Sequence, residues 1–184
     1  MAMRKVAVVG AGMTKFVRRA QETPKELTWQ ATHQALQSCE MTMDDIEAVC
    51  LGTAPDSFDG IHMNGEYLID GAGGWQKPYM RSYVGGGTGV FVPIQGWYHV
   101  ASGLFDVMLV VAEEKMSSYH PHAQAAFLTI FDHTTERPLM PNLLWIFALE
   151  MNRYMTTYGI AKEDIARVSV QHKRNAADHP AALL

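Results

Sequence analysis

The chain has 184 residues, 48% of them apolar and 18% charged, with a formal net charge of -4. These values suit one sizeable core, and the lack of any basic cluster excludes a nucleic-acid partner bound through a positive face. No apolar run reaches the roughly eighteen residues of a membrane span, and Met1 to Phe16 lacks the apolar block of a secretory signal, so a cytoplasmic protein with no membrane partner is expected.

Lys5 to Val9 reads as a short buried strand, and Gly10 and Gly12 beyond it permit a sharp turn. Thr23-Pro24-Lys25-Glu26 is a helix start: threonine at the cap, proline at the first helical position, glutamate three residues past the cap. Leu27, Ala31, Ala35 and Cys39 then recur every four residues, the stripe expected to lie on a sheet. A weaker capping pattern, Thr42 to Asp45, precedes a strand over Ala48 to Leu51 that ends at Gly52. Gly60 to Gly74 carries five glycines around Tyr67 to Ile69, the pattern of a brief helix between loops.

Tyr79 to Val84 is a third strand, followed by Gly85-Gly86-Gly87-Thr88-Gly89 and a helix that stops at Gly103. Val90, Ile94, Trp97 or Tyr98, and Ala101 mark the expected buried face of that helix. Pro93 belongs in a first turn, so the helix either begins near Gly89 or is kinked one turn in. Val107 to Ala112 is an unbroken apolar run, as in a central parallel strand covered on both faces. Ser117 to Pro141 loses periodicity and reads as a loop excursion. Leu143 to Tyr158 is a helix closed by Gly159, and Lys162 to Ala176 is another, with Ile165, Val168, His172 and Ala176 along one side. His172 there reads as a satisfied core residue. Strands alternating with helices make an α/β protein, with a mainly parallel sheet and helices on both faces.

Few residue groups point to chemistry by themselves. Cys39 and Cys50 form neither a disulfide framework nor a ligand set and read as packing residues. Gly10-Ala11-Gly12 fails as a dinucleotide loop because the third glycine of that motif would fall on Lys15. His120 and His122 have no carboxylate or cysteine at ligand spacing beside them, so no metal is expected, and a surface loop is the plainer reading.

The stretch Val84 to Ser117 reads V-G-G-G-T-G, a helix, then V-A-S-G-L-F-D-V-M-L-V-V-A-E-E-K-M-S. It resembles the thiolase superfamily, specifically the acetyl-CoA acetyltransferase and lipid-transfer (sterol carrier) branch. There a C-x-S-G-like turn opens a buried helix ending in S-G, before a D-V strand and an E-x-M-S loop. Ser102-Gly103, Asp106-Val107 and Glu114-Lys115-Met116-Ser117 fit that order. The opening V-A-V-V-G-A-G-M-T-K-F, and R-Y-M-T-T-Y-G with N-A-A-D-H-P towards the end, agree as well. The resemblance covers nearly the whole chain and implies the amino-terminal half of the family fold. Residues 1–116 would be its core, 117–158 an excursion and helix, and 159–184 a terminal helix leading to a carboxyl-terminal half.

Counting back from Ser102-Gly103 puts Thr88-Gly89 on the family's S-G and Gly86 on its nucleophilic cysteine. That cysteine works as a thiolate at a helix start, taking the acyl group as a thioester; a glycine offers only its N–H. The resemblance therefore implies either an inactive homologue or a chemistry that needs space and an oxyanion donor but no nucleophile, such as retro-aldol cleavage of a 3-hydroxyacyl-CoA. A non-catalytic subunit that binds acyl-CoA or lipid is the alternative. Gly86 and Thr88 are the expected catalytic positions, and Gly85, Gly87, Gly89, His120 and His122 the substrate-lining ones. Arg137 and Arg153, with Lys173 and Arg174, are candidates for the phosphates of coenzyme A, which enters as part of the substrate; no covalently held cofactor is implied. The family's histidine and second cysteine belong to the carboxyl-terminal half, so the resemblance implies a completing segment, in the same chain or another. It further implies a homodimer or hetero-oligomer and, in the cysteine-less branch, a small partner with a zinc ribbon and an OB-type domain.

Overall fold

Parallel neighbours need a crossover connection, and the chain supplies one between each pair of strands. The computed structural model describes residues 3–53, 60, 63–119 and 123–183. Strands β1 (Ala48–Thr53), β2 (Tyr79–Ser82) and β3 (Met108–Glu113) form one sheet in the order β2-β1-β3, with both pairings parallel. Helix α1 (Pro24–Ser38) precedes β1, α2 (Asn64–Leu68) lies between β1 and β2, and α3 (Thr88–Ala101) joins β2 to β3.

Alternation along the strands assigns each helix a face. Val49 and Leu51 of β1 and Leu109 and Val111 of β3 pack with Leu36 of α1, Leu68 of α2 and Ala72. Gly52 and Val110 have the opposite parity and receive α3. A Cβ at Gly52 would lie 2.3 Å from Val92 Cγ2, and one at Gly96 only 2.5 Å from Val110 Cγ2. Two glycines, one on the strand and one on the helix, thus bring α3 down onto the sheet. The α/β architecture with helices on both faces is the one expected.

Several sequence expectations are corrected. Lys5 to Val9 is not a strand: its backbone pairs with none of the described strands, and Val8 is 91% exposed. Gly10 and Gly12 serve close approach to α1 rather than a turn, since a Cβ at Gly12 would meet the Ala31 carbonyl oxygen at 2.2 Å. That approach occupies the Ala31, Ala35 and Cys39 side of α1, which is only half-buried. The fully buried stripe is Pro24, Thr28, Thr32 and Leu36, with the Thr28 hydroxyl donating to the Pro24 carbonyl at 2.7 Å.

On α3 the buried residues are Thr88, Val92, Gly96 and Ala101, while Val90, Ile94, Trp97 and Tyr98 are exposed. Small residues face the sheet because the spacing leaves no room for large ones. Pro93 lies within the helix, which begins at Thr88, and withholds the donor that the Gly89 carbonyl would otherwise take. β3 is covered less evenly than expected: Leu109 and Val111 are buried, Met108 and Val110 half-buried, and Ala112 exposed.

The described residues fall into two compact units, one within 1–14 and 18–118, the other within 15–17 and 119–184. The second unit holds the excursion, with 3₁₀ segments at Ala123–Ile130 and Arg137–Leu139, then α4 (Leu143–Tyr158) and α5 (Lys162–Ala176). The Asn142 side chain caps α4 by accepting from the Leu144 N–H at 2.8 Å, and Gly159 closes it at φ 64. His172 is exposed on α5 rather than packed in a core, because no described residue of that helix is buried. Among the described residues no helix is long and apolar enough to cross a membrane.

Candidate functional site

In open parallel sheets, ligands gather at the carboxyl ends of the strands. Here β2 ends at Ser82 and the chain turns through Gly85, Gly86 and Gly87 into α3. Gly85 takes φ 51, a left-handed conformation that favours glycine. Gly86 does not, and a Cβ built on it would meet nothing within 4 Å. The position has room for a Cβ, and its φ lies outside the left-handed region.

Hydrogen bonds fix the turn. Gly87 N–H donates to the Val84 carbonyl at 3.0 Å and Thr88 N–H to the Gly85 carbonyl at 3.2 Å. The Thr88 hydroxyl accepts from Val84 N–H at 3.0 Å and donates to the Gly85 carbonyl at 2.7 Å. Gly87 stands at the cap position and offers no side-chain cap, while its carbonyl accepts from the Val90 and Phe91 N–H groups at 3.1 and 3.0 Å. Among the described residues no acceptor takes the Gly86 or Gly89 N–H. Donors without acceptors at the positive end of a helix suit an oxygen that gains negative charge.

Buried polar residues stand at the strand ends nearby. Thr53 and Ser82 close β1 and β2, and Arg81 Nε donates to Thr53 Oγ1 at 2.6 Å. The Ser82 hydroxyl has no hydrogen-bond partner among the described residues. Thr53, Arg81 and Ser82 escaped the sequence reading, although polar residues ending apolar strands were the available signal.

Neither thiol stands at the turn. Cys39 caps α1 and donates to the Ala35 and Leu36 carbonyls. Cys50 is in the middle of β1, where burial pushes its pKa to about 11. The turn can therefore polarise a carbonyl, but the described residues bring no thiolate to attack one.

Gly85, Gly86, Gly87, Thr88 and Gly89 make up the turn and the first residues of α3. Arg137 and Arg153 belong to the second unit. Arg137 is engaged there, donating from Nε to the Phe131 carbonyl at 2.9 Å and from Nη2 to the Thr129 carbonyl at 2.8 Å. Arg153 is exposed on α4, as are Lys173 and Arg174 on α5. His120 and His122 lie outside the described residues.

Comparison with known proteins agrees with this layout. An acetyl-CoA acetyltransferase of Methanothermobacter thermautotrophicus is 27% identical over 184 residues, covering 98% of this chain and 47% of the relative. Another, of Methanocaldococcus jannaschii, is 28% identical over 176 residues, covering 95% of this chain and 45% of the relative. The chain thus spans about half the length of these curated relatives. A solved structure described as an "Ltp2-ChsH2(DUF35) aldolase" superposes with a TM-score of 0.68 at 23% identity, covering 96% of this chain and 44% of that one. At that identity the likeness is one of fold. Residues 6–183 match the family model described as the thiolase N-terminal domain, and the chain accordingly belongs to the thiolase family.

Proposed function

We propose that the chain forms part of an enzyme that acts on a coenzyme A thioester and breaks or makes the carbon–carbon bond beside its carbonyl, by aldolase-type chemistry without an acyl-enzyme. One observation carries the reading: at the helix start where the family's nucleophile is expected, Gly86 offers open space and an N–H with no acceptor among the described residues. In the cleavage direction a base removes the proton of a 3-hydroxyl and the C2–C3 bond breaks. Its electron pair passes through C2 to the thioester oxygen, which receives N–H donors from Gly86 and Gly89. Protonation at C2 then yields a shorter thioester, and C3 leaves as an aldehyde or ketone.

The whole site would include a carboxyl-terminal half and a partner polypeptide of the zinc-ribbon and OB type. A fold relative whose description couples an aldolase with a DUF35 chain supports that expectation. Dimerisation would add a strand to the outer edge of β2, which the sheet order leaves unpaired among the described residues.

The test is to purify the chain with whatever polypeptides accompany it and supply a series of 3-hydroxyacyl-CoA thioesters. Chromatography with mass detection should find a shorter thioester and a carbonyl product, while the intact protein gains no acyl mass. Calorimetric binding of acyl-CoA without turnover of any 3-hydroxyacyl or 3-ketoacyl thioester would favour the non-catalytic subunit instead.

A further inference from the structure

We infer that the Thr88 hydroxyl is a positioning group that aims the Gly86 N–H at the incoming oxygen. The inference rests on the proposed reading of the turn as the place where a thioester oxygen is received. Thr88 is buried, yet its hydroxyl does not cap its own helix. It reaches back, accepting from Val84 N–H at 3.0 Å and donating to the Gly85 carbonyl at 2.7 Å. One oxygen thus ties the end of the β2 segment to the residue with φ 51 that precedes Gly86. The peptide joining Gly85 to Gly86 carries both the carbonyl that Thr88 holds and the N–H in question. Because a peptide unit is planar, fixing the direction of the one fixes the direction of the other.

The other branch of the side chain is fixed too. Thr88 Cγ2 would lie 3.2 Å from a Cβ at Gly52, so the methyl faces β1 while the hydroxyl faces the turn. A β-branched side chain with both arms engaged has little rotamer freedom left. Serine keeps the hydroxyl and loses the methyl; valine keeps the shape and loses the hydroxyl. The two substitutions therefore separate aim from packing.

The experiment uses a reporter at Gly86 in the full chain with its co-purifying partners. Gly86→Cys places a thiol where a side chain meets nothing within 4 Å. Its pKa, read from the pH dependence of alkylation by iodoacetamide, should fall at least about one pH unit below the 8.5 of free cysteine. Adding Thr88→Val should raise it by about one unit, whereas adding Thr88→Ser should leave it within about 0.3 of the parent. An unchanged pKa in the valine variant overturns the inference, and so does a serine variant that shifts as far as valine. Should the valine variant not fold, serine decides: a retained pKa supports the positioning role and a raised one ends it. A Gly86→Cys parent that titrates at or above 8.5 removes the anion-receiving reading of the turn itself, a result distinct from the failure of Thr88.

Discussion

Gly52 on β1 and Val92 on α3 stand so close that a Cβ on the glycine would lie 2.3 Å from Val92 Cγ2. The contact sets the height of α3 above the sheet, and so where the turn at its start lies. Gly52→Ala forces the helix outward and should cost about 1–3 kcal/mol, a fall in melting temperature of roughly 2–10 °C. Combining it with Val92→Ala should recover part of the loss, because the second change vacates the space the first needs. Additive losses in thermal melts would show that the two residues do not compete for one volume.

Gly86 has the opposite surroundings. With no atom within 4 Å of a Cβ placed there and no left-handed φ, Gly86→Val should leave the melting temperature within about 3 °C of the parent. Turnover of acyl-CoA should fall at least about 100-fold, since the side chain fills the approach to the N–H donors, and losing one oxyanion donor alone costs that much elsewhere. Full activity in the valine variant would show that substrate does not pass there.

Helix ends are legible in the sequence because particular residues make them: Thr23 with Glu26, and Gly159, act where expected. Helix faces are not. Apolar periodicity points to Val90, Ile94 and Trp97 as buried on α3, but that helix lies so close to the sheet that threonine, valine and glycine fill the contacts and larger residues turn away. On α1 two threonines, Thr28 and Thr32, join Pro24 and Leu36 in the buried stripe. The glycine turn is legible as a motif, whereas the reach of the Thr88 hydroxyl back to Val84 is not, since it depends on Gly85 taking a left-handed conformation. Lys5 to Val9 has the composition of a strand, but composition cannot supply a neighbour for its backbone.

Cys50 gives a chemical check on the core. Burial raises its thiol to about 11, so almost none is thiolate at neutral pH. The native protein should leave Cys50 unmodified by iodoacetamide at pH 7, with labelling found there only after denaturant exposes β1. Peptide mapping that finds Cys50 alkylated in the folded protein would mean that the α3 side of the sheet opens to solvent.

The first turn of α1 should carry a pH dependence of known sign. Glu26 accepts from the Thr23 N–H at 2.7 Å and from the Thr23 hydroxyl at 2.9 Å. The backbone hydrogen bond, then the hydroxyl, lower its pKa below the ordinary 4.5. A carboxyl whose folded value lies below its unfolded one binds more protons when unfolded, so stability rises with pH through that interval. The contribution is therefore complete above about 4.5 and is lost as pH falls through the lowered folded value. Glu26→Gln can still accept at the capping box but has no charge to titrate. Urea melts should find the parent more stable than the variant at pH 7, with the gap closing below about pH 4.5. A gap that stays constant down to pH 3 would mean that the carboxylate form is not what the Thr23 donors hold.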